Sequence, residues 1–247
     1  MLPPSISQQH LQLWITCRRK FRHTFLDEIN FPINYELQEK LTLGKQFHLL
    51  IQQHQMGIDI TQIVDSESQI QKWFHSYLAH PPQMLDGEQF SEQKRTVQFA
   101  GTTLTAIYDL LILGKTSAQI IDWKTHQNPI ASSILADHWQ TKLYLFILHE
   151  TTNYAPEQIS MTYWFANALP SQKTVEIAYT TNQHQATTQA LRQILQEMAE
   201  DDRYLPLPLH SKPCQYCEFL PRCQAEVTSF QLTDLELDIA NIPEVVI

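Results

Sequence analysis

Apolar positions recur at helical spacing in the first third of the chain. Between about residues 7 and 30, and again between 36 and 55, hydrophobic side chains return every three or four positions, which predicts two opening helices. A third helix is predicted around residues 68–78, and Pro81-Pro82 then ends regular structure. We therefore expect a helical section before the first strand.

The middle of the chain has the composition of a β-sheet. Residues 89–124 are rich in Thr, Val, Ile and Phe and are interrupted by Gly101 and Gly114, which predicts three successive strands joined by tight turns. Further elements are predicted at 132–150 (helix), 159–165 and 173–179 (strands) and 182–202 (helix). Strands interleaved with helices in this way predict an α/β core.

Length, composition and charge limit the classes of protein to which the chain can belong. The 247 residues, 43% of them hydrophobic, can form one large domain or a domain with a lobe. No signal-like segment and no run of about 18 apolar residues is present, so we expect a soluble, cytoplasmic protein that does not enter a membrane. The net charge of −9 argues against nucleic-acid binding by bulk electrostatics and leaves that task to local basic patches.

A lysine and two aspartates converge on the predicted sheet. Strand alternation places Asp122 and Lys124 on one face, with Ile121 and Trp123 on the other. Asp109, on the preceding strand, can lie beside Asp122. Two carboxylates suit Mg²⁺, and Lys124 could then orient or deprotonate an attacking water. The alternative is an exposed Asp–Lys pair with no chemical role.

Two helices add polar pairs at a spacing of four residues. Gly44 and His48 share one helix face, where the glycine permits close packing and the imidazole could reach a metal. Gln140 and Tyr144 share a face of the helix that follows the D-x-K strand. Taken alone, each pair is also typical of ordinary helix packing.

In order along the chain, G-x3-H, D, D-x-K-T and Q-x3-Y resemble the RecB-like branch of the PD-(D/E)XK nucleases. The resemblance implies a restriction-endonuclease-like core, in which helices flank a mixed central sheet. It also implies that His48, Asp109 and Asp122 are metal ligands and that Lys124 is the catalytic lysine. Gln140 and Tyr144 match the motif that positions DNA or supports the active site.

Two positions fit the family pattern less closely. Glu92 lies where many relatives have an acidic residue on the first strand, and we assign it a supporting role. Ala106 stands where relatives commonly have glycine, three residues before the first aspartate. Because the extra methyl group is small, we expect little damage beyond a local change in strand packing.

The four cysteines are distributed unevenly. Cys214, Cys217 and Cys223 form C-x2-C-x5-C, and Cys17 stands alone. In a reducing compartment this spacing favours metal binding over disulfides. The fourth ligand could be Cys17, or it could be His210 in a Cys3His zinc site.

One early cysteine with three late ones resembles AddB-type nucleases and CRISPR-associated exonucleases, in which four such cysteines hold a 4Fe–4S cluster. The resemblance implies one nuclease domain over residues 1–225, with an iron–sulfur lobe from about 1–30 and 205–225. An acidic tail follows at 226–247. The basic residues beside Cys17 could contact DNA phosphates or form a solvated helix face: Arg18, Arg19, Lys20 and Arg22.

The function implied is that of a Mg²⁺- or Mn²⁺-dependent DNA nuclease, an exonuclease acting on single strands or free ends. The pathway would be DNA repair, recombination or CRISPR adaptation. The chain has no Walker-type phosphate loop, so a helicase or CRISPR-adaptation partner would be a separate protein. Two alternatives are a catalytically silent scaffold subunit of a helicase–nuclease complex and a zinc-stabilised interaction module. The full set of candidate catalytic residues argues against the first, and a metal assay would test the second.

Overall fold

The computed structural model describes residues 2–31, 35–58, 60, 68–125, 129–208 and 211–224, so His210 and the predicted tail lie outside the described residues. Its helices are α1 Gln8–Thr16, α2 Arg18–Phe25, α3 Tyr35–Gln55, α4 Gln69–Ala79, α5 Ser132–Asp137, α6 Trp139–Glu150 and α7 Thr181–Glu200, and its strands are β1 Glu88–Phe99, β2 Thr102–Leu113, β3 Ala118–Lys124, β4 Ile159–Phe165 and β5 Thr174–Ala178. None of the described helices is both long and apolar enough to cross a membrane.

The five strands form one mixed sheet in the order β1-β2-β3-β4-β5. Strands β3 and β4 run parallel, and the other neighbouring strands are antiparallel. Parallel neighbours need a crossover, which here contains α5 and α6. The predicted α/β fold with helices flanking a mixed sheet is confirmed.

Helices cover both faces of this sheet. On one face, Phe47 of α3 and Trp73 of α4 belong to a buried cluster with Trp123 of β3 and Trp164 of β4. On the other face, α6 packs its aromatic side chains on the first two strands: the rings of Tyr144 and Tyr108 are centred 5.2 Å apart. The central strands are therefore buried on both sides, which explains their nearly continuous apolar sequence.

In the middle of β1 and β2, the regular alternation of side chains between the two faces of the sheet is interrupted. Tyr108 packs against Tyr144 of α6, whereas Leu110, two residues later, joins the core under α3 and α4. In the register of β1 with β2, Ser91 pairs with Leu110 and Gln93 pairs with Tyr108. Glu92 and Asp109, which lie between these two pairs, are left out of the pairing. This irregularity resembles the β-bulges that often redirect side chains beside active sites.

Two predicted helices are each broken in two. The first is interrupted at Cys17, whose backbone is extended (φ −163°, ψ 111°), and the helix predicted at 132–150 is interrupted at His138 (φ −66°, ψ 141°). The apolar side chains nevertheless remain buried on both sides of each break: Trp14 of α1 contacts Phe21 of α2 with ring centroids 5.3 Å apart, and Leu135 of α5 and Leu143 of α6 are fully buried. The second break starts α6 at Trp139 and so places Gln140 in the first turn of that helix.

The described residues form two compact units, 13–31 with 201–224, and 2–12 with 35–200. In the smaller unit, Arg18 pairs with Asp201 at 2.8 Å and Lys20 pairs with Glu218 at 3.0 Å. The Phe21 ring stacks on Tyr204 at 6.5 Å. These contacts join segments that lie almost two hundred residues apart in sequence.

Truncation of Trp164 tests the core that supports α3 and β3. This side chain is fully buried, stacks on Phe47 at 5.9 Å and donates a hydrogen bond to the His80 carbonyl at 2.9 Å. We expect Trp164→Ala to lower the free energy of unfolding by about 3–5 kcal/mol, measured by urea denaturation. Leu78→Ala, at a half-exposed position of α4, is the control and should change stability by roughly 0.5 kcal/mol or less.

Candidate active site

Six polar side chains gather where α3 and α6 approach the first three strands. They form two neighbouring groups, one of possible metal ligands and one built around the lysine. The first contains His48, Glu92 and Asp109, and the second contains Asp122, Lys124 and Gln140. The structure therefore places the predicted Mg²⁺ or Mn²⁺ ligands and the predicted catalytic lysine in these two neighbouring groups.

The first group has the geometry of a site for one cation. The ligand atoms of His48, Glu92 and Asp109 all lie within 4.8 Å of one another, and His48 Nδ1 is 3.3 Å from Asp109 Oδ1. Two ligands held about 2.1 Å from one ion are roughly 3.0–3.4 Å apart in octahedral or tetrahedral geometry. Carboxylate oxygens with one imidazole suit Mg²⁺ or Mn²⁺. These residues fit a divalent ion.

The backbone of Trp123 orients both His48 and Asp109. His48 Nε2 lies 3.0 Å from the Trp123 carbonyl oxygen, which can only accept, so Nε2 carries a proton and donates it. In the neutral imidazole, the Nδ1 lone pair then faces Asp109. The Trp123 amide donates to Asp109 Oδ2 at 2.8 Å, which leaves Oδ1 toward the histidine. This arrangement is typical of metal ligands fixed by outer hydrogen bonds.

Glu92 reaches the group through an unusual backbone conformation. Its backbone φ is +51°, in the left-handed region that residues other than glycine rarely adopt. Such a conformation costs on the order of 1–3 kcal/mol and persists where the surrounding structure imposes it. The sequence assigned Glu92 only a supporting role, from its loose match to an acidic position of the family, and strand periodicity could not have revealed its positive φ. The structure places its carboxylate within ligand distance of His48 and Asp109.

The second group is a closed network around Gln140. Its amide nitrogen donates to Asp122 Oδ1 at 2.6 Å, and its amide oxygen accepts from Lys124 Nζ at 2.8 Å. Lys124 Nζ also lies 2.7 Å from Asp122 Oδ2. Oδ2 is buried, and among the described residues its close partner is this ammonium group.

Two further predicted residues support these groups. Tyr144 is buried behind Gln140, and its hydroxyl interacts with the Gln140 side chain. Gly44 faces Thr125 so closely that an added Cβ would lie 3.1 Å from the threonine hydroxyl oxygen. The expected close packing at Gly44 is thus present. Ala106 is buried and pairs with Arg95 in continuous register, so the departure from glycine leaves the strand intact.

Carboxylates outnumber basic side chains in the site, and burial together with these charges shifts the pKa values of its residues. Burial lowers the pKa of His48, but its hydrogen bond to Asp109 and the charges of Asp109, Asp122 and Glu92 outweigh burial and raise it. Burial raises the pKa of Asp122, opposed by Lys124. Burial also raises the pKa of Glu92, to which the Asp109 charge adds. Three carboxylates face one lysine and one histidine, a balance that favours binding of a further cation.

The first group opens into a cleft of about 690 Å³ along α3. Lys40 and Lys45 line it beside the exposed apolar side chains of Leu37, Leu41 and Leu49. Sequence reasoning missed both lysines. Lys45 could have been found, because it lies three residues before His48 on the same helix.

All four cysteines lie in the smaller unit, and none is in a disulfide. Burial raises the pKa of Cys217, and the charge of Cys17 adds to the rise. Among the described residues, the groups whose ligand atoms lie within 4.8 Å of one another include no cysteine. The thiols therefore do not form a compact single-ion site here.

Of the basic residues beside Cys17, Arg18 and Lys20 are already paired with Asp201 and Glu218.

A sequence profile of the PD-(D/E)XK nuclease superfamily matches residues 5–224. The chain belongs to this superfamily. Its members hydrolyse phosphodiester bonds and typically use divalent metal ions, for which the acidic residues described above could serve as ligands.

One solved structure shares the fold, and a second was matched at a lower score. The crystal structure of a candidate exonuclease from Eubacterium rectale aligns over 86% of this chain and 88% of its own, at 12% identity and a TM-score of 0.52. The crystal structure of SSO0001 aligns over 92% of this chain and 88% of its own, at 12% identity and a TM-score of 0.44. No curated protein matches the chain in sequence.

The coupling of His48 to Asp109 gives a pH-dependent prediction for the metal-free protein. Because the folded state raises the pKa of His48, the contribution of this residue to stability is present below about pH 6.5 and is lost as the pH rises through the raised value. We expect Asp109→Asn to lower the His48 pKa, since burial is then opposed by fewer charges. An NMR titration of the His48 ring measures it. Asp86→Asn, at an exposed position, should leave it unchanged; an unaltered value in Asp109→Asn would contradict the geometry.

Proposed function

We propose that the chain is a Mg²⁺- or Mn²⁺-dependent deoxyribonuclease of the RecB-like branch. The observation that carries the proposal is the convergence of His48, Glu92 and Asp109 beside the Asp122–Lys124–Gln140 network. Superfamily membership supplies the reaction, hydrolysis of a phosphodiester bond, and the side chains supply the groups it requires.

Each residue has a distinct role in this proposal. His48, Asp109 and Asp122 would hold the metal ion, and Glu92, whose carboxylate lies within ligand distance of His48 and Asp109, would be a further ligand. When bound there, a divalent ion would neutralise phosphate charge and lower the pKa of the attacking water. Lys124 directs its ammonium group to that water and to the phosphate. Gln140 positions Lys124 and Asp122 through its two hydrogen bonds, and Tyr144 supports Gln140 from behind.

The cleft indicates how DNA could enter. Lys45 can approach phosphates, and so can Lys40 once it leaves its exposed ion pair with Glu36; the neighbouring leucines can contact bases that are not paired. A mixed apolar and basic lining suits single strands or frayed ends better than an intact duplex, which presents mainly phosphates. We therefore favour an exonuclease acting on single strands or free ends. DNA repair, recombination and CRISPR adaptation all need this activity, with a helicase or adaptation protein as partner.

Removal of the lysine tests the proposed chemistry. Lys124→Ala removes the charge beside the reacting phosphate while leaving the carboxylates in place. We expect kcat for Mg²⁺- or Mn²⁺-dependent cleavage to fall by about 10²–10⁴-fold with little loss of DNA binding. Gel assays on end-labelled and circular DNA, in single- and double-stranded forms, measure the rate and the mode of cutting.

The matched control is Lys115→Ala, an exposed lysine in the turn between β2 and β3. It should cleave at the wild-type rate. Undiminished cleavage by Lys124→Ala would exclude this mechanism. Absence of metal-dependent cleavage in the wild-type protein, with DNA binding retained, would favour a catalytically silent subunit instead.

We further propose that Cys17, Cys214, Cys217 and Cys223 bind a 4Fe–4S cluster. The four residues share one compact unit, and the Arg18–Asp201 and Lys20–Glu218 pairs hold its early and late segments together. A cluster places iron and sulfide between its thiolates, so its cysteines lie farther apart than the ligands of a single ion. Closing a loop of this length removes roughly 5 kcal/mol of unfolded-state entropy in the chain-entropy model. The cluster would brace the fold and take no part in hydrolysis.

Replacement of the isolated cysteine tests this assignment. After anaerobic purification, the wild-type protein should be brown and contain iron and sulfide, whereas Cys17→Ala should be colourless and poorly soluble. Metal and sulfide analysis of Cys17→Ser provides a milder variant, in which we expect most of the iron to be lost. Zinc in place of iron would favour the interaction-module alternative, and a brown, fully stable Cys17→Ala would refute the four-cysteine assignment.

A further inference from the structure

A second group of metal-ligand side chains lies at the other end of α6 from Gln140. His149 and Glu150 form the end of this helix, and His184 faces them from α7. Nine residues of helix, roughly 13 Å, separate His149 from Gln140. The ligand atoms of the three side chains lie within 4.8 Å of one another. The proposed nuclease does not use this group.

The spacing fits ligands of a single ion. His184 Nε2 lies 3.4 Å from Glu150 Oε1, and the two imidazole rings are centred 4.3 Å apart at an angle of 69°. Two ligands of a tetrahedral ion, each about 2.1 Å from the metal, are roughly 3.4 Å apart. An ordinary ion pair between His184 and Glu150 could have the same distance. It would not account for the second histidine, His149, whose ligand atom lies in the same group.

Outer hydrogen bonds fix the orientation of both imidazoles. His149 Nδ1 lies 2.9 Å from the Tyr154 carbonyl oxygen, which only accepts, so Nδ1 carries the proton and Nε2 keeps its lone pair. His184 Nδ1 lies 3.1 Å from the Tyr179 hydroxyl, and its Nε2 points toward Glu150. Metal-binding histidines nearly always engage their second nitrogen in this manner.

Packing holds the group in place and leaves one side open. The His184 ring stacks on Phe146 with centroids 5.3 Å apart and planes 9° from parallel. The Glu150 side chain is 33% exposed and that of His184 17% exposed, so solvent can reach the point between them. A bound ion could therefore complete its coordination with water.

We propose that His149, Glu150 and His184 form a second metal site, selective for a borderline divalent transition ion such as Zn²⁺. Two imidazoles with one carboxylate favour Zn²⁺ over Mg²⁺ or Ca²⁺, which prefer oxygen ligands. The ion would join the end of α6 to α7. Since α6 also carries Gln140 and Tyr144, occupancy would stabilise the helix that positions the proposed catalytic lysine.

Zinc stoichiometry of the full-length protein tests the site. Equilibrium dialysis with Zn²⁺ in excess Mg²⁺ should show one zinc fewer per chain in His149→Ala and in His184→Ala than in the wild type. His75→Ala, an exposed histidine on α4, is the matched control and should bind as many zinc ions as the wild type. Thermal unfolding should shift upward with zinc in the wild type and in the control, and less in the two site variants.

Two conservative variants keep the test valid if an alanine variant fails to fold. Glu150→Gln preserves the shape of the side chain, and Tyr179→Phe removes only the hydroxyl that contacts His184. Tyr179→Phe, which alters only an outer hydrogen bond, should weaken zinc binding at this site by about 10–100-fold, and Glu150→Gln, which alters a ligand, should weaken it at least as much. Bound Co²⁺ should give weak visible bands without sulfur charge transfer, which distinguishes this site from the cysteines. Equal zinc stoichiometry and affinity in the wild type, His149→Ala, His184→Ala and Glu150→Gln would overturn the proposal.

Discussion

The backbone of Trp123 is the structural constraint on which the candidate active site depends. Its amide donates to Asp109, its carbonyl accepts from His48, and its indole is buried in the core beneath α3 and α4. One residue thereby links β2, β3 and α3 and fixes the direction of two candidate metal-ligand side chains. Because a buried side chain anchors this residue, the positions of Asp109 and His48 depend on the packing of the core.

The charges of the site are balanced in pairs. Without a metal ion, the His48 imidazole lies against Asp109, and Lys124 lies against Asp122. Gln140 keeps the second pair aligned, because its amide oxygen can only face the ammonium group and its amide nitrogen can only face the carboxylate. Glu92 adds a third carboxylate at the cost of backbone strain. Strain of this kind is typical of functional sites, and here it holds the Glu92 carboxylate beside His48 and Asp109, where a cation could bind.

Helix α6 connects the features that the structure adds to this picture. Its first turn carries Gln140, its middle packs Tyr144 against Tyr108, and its last turn contributes His149 and Glu150 to the second ligand group. In the smaller unit, ion pairs of Arg18 and Lys20 with late acidic residues join the two chain segments that contain the cysteines. These basic side chains stabilise the unit, which leaves fewer of them for contact with DNA phosphates.

The sequence by itself determined the order of elements and most of the candidate site. Apolar periodicity is a local signal, so it located five strands and the positions of Asp122 and Lys124 on one face of β3. Only the tertiary structure decided the breaks at Cys17 and His138, the change of alternation at Asp109 and the left-handed backbone of Glu92. It also brought His149 and Glu150 to His184, across more than thirty residues of sequence. These features arise from contacts between elements distant in the chain, which no local pattern of hydrophobic and polar residues encodes.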